Sequence, residues 1–286
     1  MNKTQIDSEN VTQYRRDGYT VVRSLFSTAE TAQYRDHYMA LREAGGYEGD
    51  YAEVGGKEGD PLRTYPRMIH MHRWDELSLK WVLDKRFRDC LAALEGKEPL
   101  AVQTMIYFKP PNSRGQALHQ DQYYLRAKPG SCMAAWLALD PCDVENGCMQ
   151  IVPGTGDMPL LCESKADLAI SFTDVTVELP ETMKPEPVVM DEGDVLFFNG
   201  SVVHGSFPNT SSTRFRRALI AHYVTADAKS LVSYYHPILR FDGTEVQLEV
   251  GEKGGSCGRW VDQDGEPVLE MVGDVGVAPE ARKAHP

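Results

Sequence analysis

Several features that mark other classes of protein are missing from this sequence of 286 residues. No apolar run approaches the roughly 20 residues that a membrane-spanning helix needs. The first ten residues are polar and lack the apolar stretch of a signal peptide. Hydrophobic residues make up 42% of the chain and charged residues 25%, as in ordinary globular proteins, so we expect a well-packed core. The sequence therefore predicts a cytoplasmic protein without a membrane anchor.

Basic residues are also in short supply, because 30 lysines and arginines face 42 acidic residues and leave a formal net charge of −12. A field of that sign repels phosphate backbones and anionic lipid surfaces. We therefore expect neither a nucleic acid nor a membrane as a partner, and a bulky polyanionic substrate fits poorly. A small-molecule substrate with a single anionic group is compatible with this charge. The sequence does not indicate an oligomeric state.

The cysteines lack the C-x-x-C spacing of zinc ribbons and thioredoxin-like sites. Several lie in apolar surroundings, as Cys132 does in SCMAAWLAL, where a buried thiol behaves as a small hydrophobic residue. We expect all six to be reduced thiols in the core or at the surface, namely Cys90, Cys132, Cys142, Cys148, Cys162 and Cys257.

The first hundred residues are predicted to be largely helical. The segment VTQYRRDG at 11–18 is typical of a short helix that ends at a glycine, and YTVVRSLF at 19–26 is typical of a strand. Ser27 and Glu30 form the pattern of a capping box before a helix that reaches about residue 43. The glycine-rich segment 45–60 is predicted to be a surface loop over an active site, and 76–94 to be another helix.

From residue 100 onward, short apolar or alternating runs such as LAVQTMIYF and RRALIAHYV are separated by turn residues. This pattern favours antiparallel strands in a sandwich or barrel. We expect a single domain over 1–286. It would comprise a helical region at 1–99, a β-core at 100–225 and a C-terminal extension at 226–286.

Two segments of the β-core carry residues that suit a metal ion. LHQDQYY places His119 and Asp121 two residues apart, so that in an extended chain their side chains point to the same side. GDVLFFNGSVVHGS adds His204 after an apolar strand and its turn. Two histidines and a carboxylate on one face of iron(II) leave three positions open for oxygen and substrate. Zinc is the competing metal, and such short motifs also arise in purely structural positions.

Three arginines, Arg214, Arg216 and Arg217, precede the apolar strand ALIAHYV. An arginine that faces an apolar interior is costly unless it meets an anion, and its planar fork matches a carboxylate. We expect Arg216 to face inward and the other two to lie in a solvated charge cluster. A dicarboxylate co-substrate that binds iron at one end would meet Arg216 and the hydroxyl of Ser206 at the other.

These segments, in order HQDQYY, MAAWLAL, ENGCMQIVPGT, EGDVLFFNGSVVHGS and RFRRALIAHY, resemble the phytanoyl-CoA dioxygenase family. With the N-terminal DGYTVVRSLFS, the resemblance extends to about residue 224. It implies a mainly β fold with flanking helices, the double-stranded β-helix or cupin-type jelly roll. It also implies a dioxygenase that uses iron(II), 2-oxoglutarate and O2. The substrate stays open, because the family includes acyl-CoA and ectoine hydroxylases, phosphonate oxygenases and enzymes of secondary metabolism.

The resemblance further implies roles for individual residues. The iron ligands would be His119, Asp121 and His204. The residues that bind or line the site of 2-oxoglutarate would be Arg216, Ser206, Trp136, Met105 and Arg67. Packing in the core is the alternative for Trp136 and Met105.

The presence of Asp121 favours hydroxylation over halogenation, because related halogenases replace this carboxylate to make room for chloride. Polar and aromatic clusters suggest a small polar or anionic substrate, with ordinary packing as the alternative for each residue. The first cluster is Tyr123, Tyr124 and Arg126. The others are His70, His72, Arg73 and Trp74, and Tyr234, Tyr235 and His236.

Two other functions compete with this interpretation. A cupin-type metalloenzyme that does not use 2-oxoglutarate would not need Arg216 beyond the distal histidine. A non-catalytic jelly roll that binds a ligand would not need His119, Asp121 and His204 together. Formation of succinate and stoichiometric iron binding separate the three hypotheses.

Overall fold

The computed structural model describes residues 6–45, 50–51, 59–251 and 255–273. The helices are α1 (Ser8–Asp17), α2 (Thr28–Ala44), α3 (Pro61–Thr64), α4 (Glu76–Val82), α5 (Lys85–Glu95) and α6 (Gln122–Leu125), with 3₁₀ turns at Met71–Arg73 and Ser233–Tyr235. Most of the loop predicted at 45–60 lies outside the described residues. Within them, no helix is both long and apolar enough to cross a bilayer.

Nineteen strands complete the described part of the chain. The first ten are β1 (Tyr19–Val22), β2 (Asp50–Tyr51), β3 (Arg67–Ile69), β4 (Pro99–Tyr107), β5 (Gln116–His119), β6 (Met133–Ala138), β7 (Met149–Ile151), β8 (Glu163–Lys165), β9 (Val175–Val177) and β10 (Glu186–Val188). The others are β11 (Val195–Asn199), β12 (His204–Ser206), β13 (Ala218–Thr225), β14 (Ser230–Leu231), β15 (Ile238–Leu239), β16 (Glu245–Val246), β17 (Glu249–Val250), β18 (Cys257–Gln263) and β19 (Glu266–Val272).

Side-chain caps decide where the N-terminal helices begin and end. Asp7 caps α1, which begins at Ser8, three residues before the predicted start, and Gly18 ends it in the left-handed region at φ +83°. The predicted capping box of α2 is confirmed, because Ser27 N–H donates to Glu30 Oε2 over 2.8 Å while Ser27 Oγ accepts from Glu30 N–H. The single helix predicted at 76–94 is wrong. It is two helices, because the carboxylate of Asp84 accepts from Arg86 N–H and starts a new one.

Two sheets pack face to face around the centre of the molecule. The larger one has nine strands, ordered β1-β11-β6-β13-β4-β15-β16, with β3 also pairing β4 and β2 pairing β3. The smaller one has the order β10-β7-β12-β5. Alternate residues of β6 divide between two cores: Trp136 packs with the small sheet, and Leu137 packs with the helices. A strand that is buried on both faces reads as the continuous apolar run MAAWLA. The fold is the double-stranded β-helix that the sequence predicts.

The N-terminal helices cover the outer face of the large sheet. Phe87 of α5 joins the two layers, since its ring lies within 5.2–6.3 Å of the rings of Phe26, Trp81, Phe197 and Tyr223, measured between centroids. Phe87 is fully buried. The helices therefore act as a hydrophobic support for the sheet and leave its inner face for the site.

The prediction that all six cysteines are reduced is wrong. Cys162 and Cys257 form a disulfide with a Cα–Cα distance of 4.9 Å, which ties the segment before β8 to the start of the C-terminal hairpin β18–β19. The other four cysteines are free and buried, as expected. The two bonded residues are 95 positions apart, so the sequence alone gave no signal for their pairing.

Candidate active site

Two neighbouring strands of the small sheet bring the predicted histidines together. His119 ends β5, His204 begins β12, and the two are partners in the antiparallel register. Their ring centroids are 4.2 Å apart. His119 Nδ1 donates to the carbonyl of Ala117 and His204 Nδ1 to that of Val202, both over 2.9 Å. Because a carbonyl only accepts, each Nδ1 carries the proton and each Nε2 offers its lone pair to a metal.

Asp121 completes the cluster, although not in the way that the sequence suggests. The chain leaves the strand after His119, and Asp121 adopts helical angles (φ −61°, ψ −33°) at the start of α6. The carboxylate still lies 3.5 Å from His119 Nε2 and 3.6 Å from His204 Nε2. The ligand atoms of the three residues all lie within 4.8 Å of one another. The predicted convergence is confirmed, whereas its explanation by an extended chain is wrong.

The pKa values of Asp121 and His204 are shifted in the directions that favour metal binding. Burial raises the pKa of Asp121, but the adjacent His204 and His222 outweigh it and hold this pKa well below its ordinary value. Burial, followed by the charge of His119, lowers the pKa of His204 to about 4. An ionised carboxylate at Asp121 and a neutral imidazole at His204 suit a divalent ion.

A third histidine, which the sequence reasoning missed, holds the carboxylate. His222 of β13 is buried, and its Nε2 donates to Asp121 Oδ2 over 2.9 Å. This contact orients one oxygen of Asp121 and leaves Oδ1 on the side of His119. The only signal in the sequence was a polar residue within the apolar strand ALIAHYV.

Arg216 lies inside the barrel, unlike its neighbours. It is 2% exposed, its Nε donates to the carbonyl of Gly147 over 2.9 Å, and its guanidinium lies 5.2 Å from the ring centroid of Trp136. Burial lowers the pKa of Arg216. In contrast, Arg214 pairs with Asp143 and Glu145, and Arg217 pairs with Asp140. The prediction that Arg216 faces inward, while Arg214 and Arg217 lie in a charge cluster, therefore agrees with the structure.

Ser206 is held by two donors. Its Oγ accepts from the buried ammonium of Lys109 over 2.8 Å and from the backbone N–H of Gln116 over 3.2 Å. Lys109 also donates to the carbonyls of Gly147 and Phe207. The sequence reasoning missed Lys109, which lies two residues after the end of the apolar strand β4.

A cavity of about 520 Å³, including its mouth, opens beside the ligand cluster. Five of the residues predicted for the metal, co-substrate or substrate line it from β3, β4, β5 and the start of α6, namely Arg67, Met105, His119, Asp121 and Tyr124. Arg67 donates from Nη1 to the hydroxyl of Tyr107 over 2.9 Å. The full lining also includes Ile69, Gln103, Tyr107, Gln116, Leu125, His222, Tyr234 and Tyr235.

Three predicted substrate contacts lie away from this cavity. His72 is buried, and its Nδ1 bonds to Thr104 Oγ1 over 2.9 Å, so it packs in the interior. The guanidinium of Arg126 lies 4.7 Å from the ring centroid of Tyr123, and its Nε donates to the carbonyl of that residue. Tyr123 itself lines a smaller pocket on the other side of His119. The turn after Asp121 rotates the side chains of Tyr123 and Arg126 away, whereas Tyr124 keeps its predicted place.

Comparisons with known proteins agree with this geometry. The model of the phytanoyl-CoA dioxygenase family matches residues 14–218. "Phytanoyl-CoA dioxygenase 1" of Oryza sativa is 29% identical over 55% of this chain and 56% of its own length, so the match spans little more than half of that relative. "Phytanoyl-CoA dioxygenase" of Arabidopsis thaliana is 27% identical over 72% of this chain and 75% of its own. "Methylphosphonate hydroxylase" of Gimesia maris is 27% identical over 88% of this chain and 94% of its own.

Solved structures share the fold. The non-haem, α-ketoglutarate-dependent carbocyclase SnoK of nogalamycin biosynthesis has a TM-score of 0.61 at 26% identity, over 78% of this chain and 86% of its own. The epimerase SnoN has a TM-score of 0.60 at 23% identity, over 77% and 84%, and was crystallised with Fe3+ and α-ketoglutarate. The family model covers most of this chain, and two histidines and an aspartate that could hold a metal ion lie together in it. The chain therefore belongs to the phytanoyl-CoA dioxygenase family and is an iron- and 2-oxoglutarate-dependent non-haem oxygenase.

Proposed function

We propose that this enzyme hydroxylates a small polar or anionic organic molecule while it converts 2-oxoglutarate to succinate and CO2. The observation that carries the proposal is the shared cavity, in which two metal-ligating side chains, His119 and Asp121, lie beside polar groups of Arg67 and Gln103. The retained carboxylate of Asp121 favours hydroxylation over halogenation. Bound iron would supply the activation of O2, and the protein supplies binding, orientation and exclusion of water.

The protein side of this chemistry divides between two groups of residues. His119, Asp121 and His204 would hold iron, because their donor atoms cluster within 4.8 Å. Arg216 and Ser206 would bind the far carboxylate of 2-oxoglutarate, the first through its guanidinium and the second through its hydroxyl proton. Trp136 beneath Arg216, and Met105 and Arg67 on the cavity wall, would line the co-substrate site.

The substrate would lie against the tyrosine-lined side of the cavity. Tyr124 comes from α6, and Tyr234 and Tyr235 come from the 3₁₀ turn in the C-terminal extension. Arg73 anchors that turn by donating to the carbonyls of Tyr234 and His236. Aromatic walls with a few polar groups suit a compact molecule.

Charge supports a small anion over a coenzyme A ester. The net charge of −12 opposes a bulky polyanion at long range but is offset locally for a single anionic group by Arg67. A relative named for methylphosphonate aligns over 94% of its length, which is consistent with a small anionic substrate. The expectations that the chain forms one domain and resides in the cytoplasm remain proposals of ours as well.

Succinate formation tests this function. The purified protein would be supplied with Fe(II), 2-oxoglutarate and O2, and a panel of small phosphonates, carboxylates and amino acids would be compared with acyl-CoA esters. We expect one small polar or anionic compound to stimulate succinate release and to gain an oxygen atom from ¹⁸O2. Product analysis by mass spectrometry separates hydroxylation from desaturation, cyclisation or epimerisation.

A matched pair of variants controls the assay. Asp121→Asn should abolish stimulated turnover, whereas Asp227→Asn, at an exposed carboxylate paired with Lys97, should leave it unchanged. Stimulation by acyl-CoA esters alone would refute the proposed substrate class. A product without oxygen from O2 would refute hydroxylation.

A further inference from the structure

Lys109 is a charged side chain in an unusual position. It is 2% exposed, and its Nζ contacts three oxygen atoms: the carbonyls of Gly147 and Phe207, and Ser206 Oγ. Its backbone φ of +35° lies in the left-handed region that a lysine rarely adopts. Burying an ammonium and holding such a backbone both cost energy, so this arrangement points to a function.

The same residue contacts both proposed binders of the co-substrate. Its backbone carbonyl accepts from the N–H of Arg216 over 3.1 Å, while its ammonium donates to Ser206 Oγ over 2.8 Å. Lys109 Nζ and Arg216 Nε also share the carbonyl of Gly147 as an acceptor. Gly147 makes this possible, because a Cβ there would lie 2.9 Å from Lys109 Cδ and 2.6 Å from the carbonyl oxygen of Phe207.

Hydrogen-bond polarity fixes the direction of the Ser206 hydroxyl. An ammonium is a donor only, and so is the backbone N–H of Gln116, so both lone pairs of Ser206 Oγ are used. With Lys109 protonated, the hydroxyl proton of Ser206 is left for a third group. In the described part of the chain, the hydrogen bonds of Ser206 include no acceptor for it, whereas a carboxylate of a ligand would serve.

Charge leads to the same conclusion. Within the described ranges, neither Lys109 nor Arg216 forms an ion pair with an acidic side chain, although both are buried. Burial, and then the charge of Arg216, lowers the pKa of Lys109 well below its ordinary value. An anion bound beside Arg216 and Ser206 would raise the pKa of Lys109 again and favour its charged form.

We propose that Lys109 is a positioning residue for the 2-oxoglutarate site. Its ammonium directs the Ser206 hydroxyl toward the far carboxylate of the co-substrate, and its carbonyl holds the backbone of Arg216 in place. This inference rests on the proposed roles of Arg216 and Ser206. Lys109 acts through these residues and adds positive charge behind them. Its loss would weaken recognition of the far carboxylate more than it weakens turnover itself.

The test compares two co-substrates in the same enzyme. 2-Oxopentanoate has the 2-oxo acid group of 2-oxoglutarate but no far carboxylate, so the ratio of their kcat/KM values reports recognition of that carboxylate. This ratio does not depend on the fraction of folded protein. Lys109→Met should lower the preference for 2-oxoglutarate by about 10-fold or more, as expected when a charge-assisted contact is lost. The KM for 2-oxoglutarate should rise while kcat changes less.

Further variants make the result decisive. Lys109→Gln keeps N–H donors without the charge, and it should also lower the ratio if the methionine variant does not fold. Lys97→Met, at an exposed lysine paired with Asp227, should leave the ratio unchanged. If Lys109 acts through Ser206, the double variant Lys109→Met/Ser206→Ala should lose less than the product of the two single losses.

The failure of this inference is distinct from failure of the proposed function. Wild-type protein that forms no succinate from 2-oxoglutarate would remove the function itself. Wild-type turnover with an unchanged preference ratio in both Lys109 variants would overturn only the role of Lys109.

Discussion

Removing the imidazole of His222 should weaken metal binding without unfolding the protein. His222 Nε2 donates to Asp121 Oδ2 over 2.9 Å in a site where both residues are buried. A hydrogen bond to a charged group contributes about 1.5–3 kcal/mol, and about 1.4 kcal/mol corresponds to a tenfold change in affinity. We therefore expect His222→Leu to raise the Kd for Fe(II) about 10–100-fold, the range typical of partners of metal ligands.

Calorimetric titration under anaerobic conditions measures this change, with Co(II) as a redox-stable substitute for Fe(II). His222→Gln retains a donor and should lose less affinity than His222→Leu. His37→Leu is the matched control, because His37 makes a similar 3.0 Å contact with Asp75 away from the site. If folded His222→Leu protein bound Fe(II) as tightly as the wild type, orientation of Asp121 by His222 would not matter.

Other outcomes follow from single contacts. Arg216→Met should raise the KM for 2-oxoglutarate about 10–100-fold, since a bidentate charged contact is lost; an unchanged KM would contradict its role. Thiol titration of denatured, unreduced protein should find the four free cysteines, whereas six would contradict the Cys162–Cys257 bond. Burial lowers the pKa of His70 from 6.5 to about 3, so the unfolded chain takes up a proton first and stability falls as the pH drops below 6.5. Between pH 7 and 5, the free energy of unfolding should therefore fall by about 2 kcal/mol less in His70→Asn than in the wild type, as measured by urea unfolding. Asparagine tolerates the φ of +56° at this position. An equal fall in both proteins would refute this account.

Local sequence patterns were sufficient to predict those features that a few neighbouring residues determine. The capping box of Ser27 and Glu30 starts α2 where the sequence predicts, because both partners lie within one turn. The same holds for His204, whose place follows from an apolar strand and a tight turn. Each of these features depends on contacts within about ten residues, which a sequence displays directly.

Features that depend on distant contacts were missed for a physical reason. His222 meets Asp121 across 101 positions, and Cys162 meets Cys257 across 95. Neither pairing leaves a periodic pattern in the chain. The signal for His222 was indirect: a histidine in a strand buried on both faces needs a polar partner. The identity of that partner requires the fold.

Backbone detail explains the errors in the predicted substrate contacts. Asp121 begins a helical turn instead of continuing the strand, so successive side chains after it rotate by about 100° instead of alternating. Tyr124 consequently lines the cavity while Tyr123 lies on the other side of His119. Arg126 ends the turn in the left-handed region at φ +53° and packs on Tyr123. A single departure from the extended conformation therefore moved Tyr123 and Arg126 away from the cavity and left Tyr124 in it.

The cationic side chains in the interior differ from those near the surface in the groups that they contact. Arg214 and Arg217 lie on either side of Arg216, separated from it by at most one residue, and both pair with carboxylates near the surface. Arg216 and Lys109 instead contact neutral oxygens in the interior, in a chain that has an excess of acidic residues. The chain has 42 acidic residues, and one of them beside Arg216 and Lys109 would have neutralised this pair permanently. Neutral partners hold these two residues in place without neutralising them. If they bind a diacid as we propose, a carboxylate placed there, as in Ser206→Asp, should compete with 2-oxoglutarate and raise its KM more than Ser206→Ala does.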